Sequence, residues 1–389
     1  MKVLHLYNSH RRGGGSDNTW GATIRQSRAA GIEVEVLSRH STDIAPTPGG
    51  RLGAALSGLY SAGAVAATRE AIARFRPDVV HTHELYPLLS PWVVRAADRM
   101  GVPVVHSCYD YRLSCPIATH FRAGALCHRC TGGHEYHAVF ANCRDSLSES
   151  LAYAARGAVA RQFGLFTSHV AEFLVFSPFQ RQWLVRDVGI SADRVTVAPC
   201  VIQTPPTAAD PAEGGYIGFA GRFAPEKGVE LLIEAARRTS LPVRLAGDAP
   251  SHPALRSGDN VQCVTTRSRA ELDAFYHGAR MLVVPSLWHE TFCIVAAEAM
   301  GHGIPVLAAR LGALQDLVIE DETGMFFDSA DIGDLARQML RLWHDPALCR
   351  RLGAAGRRRT ACAFNAEVHL AQLTAAYRRA MARGPRRGA

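Results

Sequence analysis

The sequence predicts an α/β protein made of two Rossmann-like, doubly wound halves in tandem. Three observations carry that reading. Short apolar runs alternate with helical stretches along the whole 389-residue chain. The alternation is interrupted at the Pro/Ala/Gly-rich run 204–215 and then restarts. Each half begins with strand, glycine-bearing loop and helix, the opening of a ligand-binding parallel sheet. Residues 1–203 are assigned to an N-terminal acceptor half and 204–215 to a linker. Residues 216–360 form a C-terminal donor half, and 361–389 a helix and basic tail packing back toward the first half. Two halves imply a central cleft, where ligands commonly bind.

In the first half, Val3–Tyr7 is a strand, Arg11–Asp17 a flexible loop, Thr19–Ala30 a helix and Ile32–Leu37 a strand. The loop holds Gly13, Gly14 and Gly15 but is neither G-x-G-x-x-G nor a P-loop. It suits a tight turn and a ligand contact equally well. Arg51–Arg74 reads as one long helix. Asp78–His83 is a buried strand ending in His81 and His83, which read first as structural. Ser90–Gly101 is a helix and Val102–His106 a strand. Strands at Leu174–Ser177 and Val195–Ala198 complete the half.

In the second half, Tyr216–Ala220 is a strand and a helix starts at Val229. Strands follow at Val243–Ala246 and Val261–Val264, then a helix over 268–278 and a strand over 281–285. Next comes the most informative stretch, Pro285 to Met300. A polar loop carries Glu290, and a small-residue helix runs from Phe292 to Met300, stopping at Gly301. The unpaired N–H groups of its first turn offer a seat for phosphate. Glu290 before the helix and Glu298 two turns in suit hydroxyl groups, so the ligand is part diphosphate and part polyol. Upstream, Gly221-Arg-Phe-Ala-Pro-Glu-Lys-Gly228 puts Arg222 and Lys227 at a strand's carboxyl end, where anions bind. The chain contains no Asp-x-Asp, so these two cations would take the place of a Mg²⁺ clamp.

Bulk properties limit the function classes. Hydrophobic content of 48% and charged content of 20% fit a globular soluble protein. No apolar run reaches the ~18 residues of a membrane span. Met1–Tyr7 reads as a strand rather than a secretory signal, which predicts a cytoplasmic protein. A net charge of +8 admits phosphate substrates, anionic membranes or nucleic acid. Aromatic content of 8%, without basic–aromatic interleaving, sets nucleic acid aside. The tail Tyr377–Gly388 carries five arginines and no acid, fitting an anionic inner-membrane face or a solvated terminus.

Gly221-Arg-x₄-Lys-Gly228, followed by Pro285-Ser-x₃-Glu-x₇-Glu-Ala-Met-x₂-Gly-x-Pro-Val306, resembles the retaining GT-B glycosyltransferases of family 4 (glycosyl transferases group 1). Ala246-Gly-Asp248 and Glu322-Thr-Gly-Met-Phe326 extend the likeness across the second half. The resemblance implies that Arg222, Lys227 and Glu290 serve catalysis. The two cations would hold the donor phosphates and Glu290 the sugar hydroxyls. Glu298 would bond the ribose, and backbone N–H groups around Phe292, Cys293 and Ile294 the distal phosphate and sugar. Gly14 and Gly15 would close over the phosphate. The reaction implied is transfer of a hexose from a UDP- or GDP-sugar to a glycan or lipid-linked acceptor in surface-polysaccharide assembly. Retention at the anomeric carbon is implied, with no cofactor required. Three positions depart from the pattern: Cys293 replaces a glycine, Cys200-Val201 an Asn-Gly, and Tyr109 a histidine near the donor sugar. A sugar-nucleotide epimerase or hydrolase keeps the same fold, as does a catalytically degenerate GT-B partner protein.

Ten cysteines do not make a disulfide scaffold. Four are concentrated at Cys115, Cys127, Cys130 and Cys143, in an insertion over about 108–145. One C-x-x-C with two more cysteines fits a structural zinc site, and free thiols are the alternative.

Overall fold

The apolar runs pair as two parallel sheets, each flanked by the helices that alternate with its strands. The computed structural model describes residues 1–10, 14–248, 251–256, 260–266 and 268–386. Contacts divide the chain into two units. The first is Met1–His120, Cys127–Pro199 and Ala366–Ala389; the second is Phe121–Leu126 and Cys200–Asn365.

The first unit begins with β1 (Lys2–Ser9), α1 (Gly15–Ala29), β2 (Glu33–His40), α2 (Pro48–Leu59), α3 (Ala62–Phe75), β3 (Val79–Thr82), α4 (Trp92–Arg99) and β4 (Val104–Ser107). A short hairpin, β5 (Phe121–Arg122) and β6 (Ala125–Leu126), precedes α5 (His137–Phe140) and α6 (Leu147–Gln162). Then come β7 (Glu172–Val175), α7 (Pro178–Arg186) and β8 (Val195–Val197). Among the described residues the sheet order is β2-β1-β3-β4-β7-β8, all parallel. β3 and β4 are buried at every position, as parallel strands covered on both faces must be.

Three helices differ from the sequence reading, two in the first unit and one in the second. α1 starts at Gly15, so Ser16 and Asp17 lie in its first turn rather than in a loop. Asp17 accepts from the Tyr7 hydroxyl at 2.6 Å and sits where the helix dipole favours an acid. Gly13, Arg11 and Arg12 lie outside the described residues. The single helix expected over Arg51–Arg74 is two, α2 and α3. Tyr60 is extended, and the Ser61 hydroxyl accepts from Ala64 N at 3.4 Å, capping a new helix.

The second unit runs β9 (Tyr216–Ala220), α8 (Val229–Thr239), β10 (Val243–Ala246), β11 (Val261–Val264), α9 (Arg269–His277), β12 (Ala279–Val284) and α10 (Ile294–His302). It continues with β13 (Val306–Ala309), α11 (Leu314–Leu317), β14 (Gly324–Phe327), α12 (Ile332–His344) and α13 (Pro346–Ala363). Its parallel order among the described residues is β11-β10-β9-β12-β13-β14. The strand order reverses between β9 and β12, the topological switch point where open α/β sheets bind ligands. The run 204–215 is fastened to this unit. Arg350 pairs with Asp210 at 2.7 Å, and Arg280 donates to Gly214 O at 3.2 Å.

α10 does not stop at Gly301. It runs through His302 and ends at Gly303, whose φ of 85° is the left-handed value a helix end favours. Ile304 N returns to Ala299 O at 2.9 Å and closes the turn.

The last helix, α14 (Ala366–Arg383), belongs to the first unit. It buries Leu373, Ala376, Tyr377 and Ala380 against Val3, Val79, Val105 and Leu174. Arg379 and Arg383 both reach the buried carboxylate of Glu172. Two of the five tail arginines are therefore structural. Among the described residues no helix is long and apolar enough to cross a membrane.

Candidate active site

In the second unit, the loops leaving β9 and β12 meet backbone to backbone. Gly228 ends the first loop at φ 67°, and a Cβ there would fall 1.9 Å from Pro285 O. No other residue type permits that approach. Leu287 N then bonds Glu226 O at 2.9 Å. This junction sets Lys227 Nζ 2.8 Å from Glu290 Oε1 and 4.9 Å from the centre of the Trp288 ring.

Glu290 is buried, and the same oxygen also accepts from Ser286 Oγ at 2.6 Å and Trp288 Nε1 at 2.9 Å. Burial by itself pushes this carboxyl's pKa up. The Lys227 charge and the bonds from Lys227, Ser286 and Trp288 outweigh burial and hold it below the usual range. Glu290 is thus a buried anion matched to one cation. Arg222, on the same loop as Lys227, is exposed and sits 3.1 Å from Glu226 Oε1.

Beside this pair α10 begins. Cys293 caps it with φ 75° and ψ 74°. The cysteine holds a left-handed conformation that glycine takes freely, at a cost of roughly 1–2 kcal/mol. Burial pushes the Cys293 thiol up to about 12, so it is not a thiolate nucleophile. Phe292 is buried edge-on against Phe364, with centroids 5.2 Å apart. Ile294 and Val295 open the helix half-buried, while Ala296 is fully buried and its backbone N–H bonds the Cys293 thiol.

Glu298 is the fifth residue of α10, one turn in rather than two, because the helix starts at Ile294 and not Phe292. Its Oε1 pairs with Arg269, and its Oε2 accepts from Tyr276 Oη at 3.0 Å. Arg269 is shared with Asp273 at 2.8 Å. Both partners of Glu298 come from α9.

In the first unit, Gly14 caps α1 in an extended conformation, and Gly15 is the first helical residue. A Cβ at Gly14 would meet nothing within 4 Å, so packing within the chain does not itself require glycine there. Tyr109 Oη lies 2.9 Å from His83 Nδ1. Tyr109 lines a pocket with His83, Glu84, Asp110 and Arg112. Arg112 stands 2.8 Å from Glu84, whose pKa is raised by burial against that charge.

Cys115 and Cys130 are buried, and Cys127 and Cys143 half-buried. Cys143 packs against Cys130 in one small cluster with Ala138 and Ala154. Burial, then Cys115, Cys143 and Cys127, push the Cys130 thiol up to about 12. A tetrahedral zinc site sets its sulfurs roughly 3.8 Å apart. Among the described residues, only His5, His81 and His83 bring three potential ligand atoms within 4.8 Å of one another.

The structure thus joins Lys227 to Glu290 and leaves Arg222 paired elsewhere. Sequence reasoning missed Ser286 and Trp288, though both flank Glu290 in the same loop. Arg269 and Tyr276 carried no local signal, since they reach Glu298 from another helix.

Two parallel-sheet α/β units, the second with its motif residues gathered at the switch point, define the GT-B class. Sucrose-phosphate synthase from Thermosynechococcus elongatus is similar in structure, with a TM-score of 0.73 at 22% identity over 98% of this chain and 100% of that one. Anabaena HepE in complex with UDP-glucose aligns with a TM-score of 0.61 at 16% identity over 96% of this chain and 99% of that one. At these identities the likeness is one of fold. Residues 14–200 match the glycosyl transferase 4-like domain and residues 206–359 the glycosyl transferases group 1 domain. The chain belongs to the group 1 glycosyltransferases of family 4. It is 31% identical over 230 residues to an MMP alpha-(1->4)-mannosyltransferase of Mycolicibacterium hassiacum, covering 55% of each chain. It is 32% identical over 193 residues to a D-inositol 3-phosphate glycosyltransferase of Salinispora arenicola, covering 44% of this chain and 43% of that one. The matched stretch spans about half the length of these curated relatives.

Proposed function

We propose that the chain transfers a hexose from a UDP- or GDP-sugar to a glycan or lipid-linked acceptor, with retention at the anomeric carbon and no metal in catalysis. The observation that carries this is the Lys227–Glu290–Trp288 cluster beside the amide end of α10 at the switch point. The departing group is a nucleoside diphosphate. As the bond from the anomeric carbon to the phosphate oxygen breaks, negative charge grows on the diphosphate. Lys227 and the α10 amides supply positive charge fixed in place before that moment. The acceptor oxygen bonds the anomeric carbon on the face the phosphate leaves, and its proton passes to the departing phosphate. Glu290 holds Lys227 in register, and Arg269 with Tyr276 holds Glu298 toward the nucleoside.

A thermal-shift panel of nucleotide sugars identifies the donor, since a ligand bound by the folded state alone raises the melting temperature. Product is then measured with and without acceptor, in EDTA. Transfer that survives EDTA is the expected result. Full loss restored by Mg²⁺ refutes the metal-free route, and sugar release without acceptor marks a hydrolase instead. A role in surface-polysaccharide assembly and a position on an anionic membrane belong to the same proposal. The membrane contact must draw on arginines other than Arg379 and Arg383, which Glu172 occupies.

We further propose that Cys115, Cys127, Cys130 and Cys143 take up structural zinc, the ion drawing together thiols of which no three now stand within 4.8 Å of one another. Metal analysis of the purified chain is expected to find one zinc ion per chain, released as the four thiols become reactive. A metal-free chain whose four thiols all titrate readily rejects this.

A further inference from the structure

The helices α2 and α6 of the first unit turn small residues inward and large apolar ones outward. α2 buries Ala54 and Gly58, while Leu52 is 61% and Leu56 55% exposed. α6 buries Ser150, Ala154 and Ala160, while Leu151 is 58% exposed. A helix whose outer side meets only water has the opposite pattern, with large apolar residues on the core stripe and polar ones outside. The four-residue spacing of Leu52, Leu56 and Tyr60 puts them in one row along α2 and its C-cap.

The two helices share one face. A Cβ on Gly58 would lie 3.9 Å from Arg156 Cδ, so the later halves of α2 and α6 touch. Both helices also end at one ring. Tyr60 meets Trp92 of α4 edge-on with centroids 5.6 Å apart, and Phe163, just after α6, lies 5.1 Å from Trp92. The helices therefore run side by side in the same direction. At a helical rise of about 1.5 Å per residue, Leu52 is about 9 Å back from Gly58 and Leu151 about 7.5 Å back from Arg156, so the leucines stand level. The charge around this strip has one sign. α2, α4 and α6 carry Arg51, Arg95, Arg99, Arg156 and Arg161, and as acids only Asp98 and Glu149. Asp98 is buried 2.7 Å from His169 Nδ1, and Glu149 stands 3.3 Å from Arg144. Arg161 pairs with Glu135 at 2.7 Å, and Arg95 lies over the Trp92 ring at 5.4 Å.

We propose that this strip of α2 and α6, with the rings at its end, is where the chain rests on an anionic lipid bilayer. The leucines enter the boundary between headgroups and acyl chains. Tyr60 and Trp92 sit at headgroup level, where rings with one polar end are favoured, and the arginines meet lipid phosphates. Charge favours a bilayer over a second copy of the chain. A two-fold dimer sets the same patch against itself, which would bring these arginines face to face with their own copies. The contact is thus placed on the first unit's helices and not on the tail, where Arg379 and Arg383 serve Glu172. The proposal rests on the glycosyltransferase reading only in that a lipid-linked acceptor would be met at such a surface. Binding to vesicles needs no donor.

Flotation of the full chain tests this, with vesicles of phosphatidylcholine alone and of phosphatidylcholine with about one third phosphatidylglycerol. The chain is expected to float with the anionic vesicles and much less with the neutral ones. Leu56→Glu and Leu151→Glu are each expected to lower that partition about tenfold or more. Both positions are exposed, so the melting temperature should hardly move. The pair Leu52→Ser with Leu56→Ser adds no charge and is expected to weaken binding too. Leu340→Glu, on α12 of the second unit and 37% exposed, is expected to bind as the wild type does. A wild-type chain that floats with neither vesicle overturns the proposal. So does unchanged binding in the α2 and α6 variants, or an equal loss in Leu340→Glu. Sedimentation equilibrium without lipid is expected to show no dimer that Leu56→Glu breaks, and such a dimer assigns the strip to a second copy instead. UDP-glucose and GDP-mannose are then added as probe donors in thermal shift, where Leu56→Glu is expected to respond as the wild type does. A chain that floats but responds to neither probe counts against the nucleotide-sugar reading and leaves the lipid surface standing.

Discussion

Lys227→Ala is expected to lower kcat/KM for the nucleotide sugar by roughly 10²–10³-fold, the range seen when a fixed charge facing a developing anion is removed. The effect on stability is separate and also large. Glu290 is buried, and Lys227 is its ion-pair partner at 2.8 Å. Removing one partner of such a pair costs about 3–5 kcal/mol, because the other charge stays buried and unmatched. The sign of the pH dependence follows. The folded-state pKa of Glu290 is depressed. Its contribution is thus present above the unfolded carboxyl value and is lost as pH falls through the lower folded value. Without Lys227 its charge and its hydrogen bond are lost while burial stays, so the acid-side slope should flatten or reverse. Urea melts between about pH 3 and 7 read this directly. Adding Glu290→Gln should recover part of the stability and none of the turnover. Unchanged kinetics in Lys227→Ala would remove Lys227 from the phosphate site.

Gly228→Ala is expected to do comparable damage with no change of charge. The new Cβ would fall 1.9 Å from Pro285 O, a backbone atom that cannot swing away, at a φ of 67°. The two loops must separate. Strain of this kind costs about 1–3 kcal/mol, with lost loop contacts added to it. Separation also breaks the Leu287–Glu226 bond and moves Lys227 away from Glu290. A fall in both melting temperature and donor affinity is expected, since one junction serves both. A variant of normal affinity would show that the junction does not set the site.

Much of the second unit was legible residue by residue. The strands Tyr216–Ala220, Val243–Ala246 and Val261–Val264 are found where the apolar runs put them, because buried parallel strands are continuous apolar segments. Helix ends were less legible. Gly301 and Gly303 are equally good stops in a sequence, and only the backbone shows which one turns left-handed. Ser61 within an alanine-rich run reads as helix until its hydroxyl is seen capping the next one. For the site, Lys227 and Glu290 were visible as separate motif residues 63 positions apart, and their direct bond was not.

The sequence by itself determined the α/β class, the tandem halves, and the residue types suited to a diphosphate and a polyol. These are properties of periodicity and local spacing, which survive in one dimension. Tertiary structure decided the partners: Lys227 with Glu290, Arg269 and Tyr276 with Glu298, and His83 with Tyr109. It also decided that two tail arginines serve Glu172. The reason is physical. A buried charge takes its protonation state from what is packed against it, and packing joins residues whose separation in the chain carries no signal.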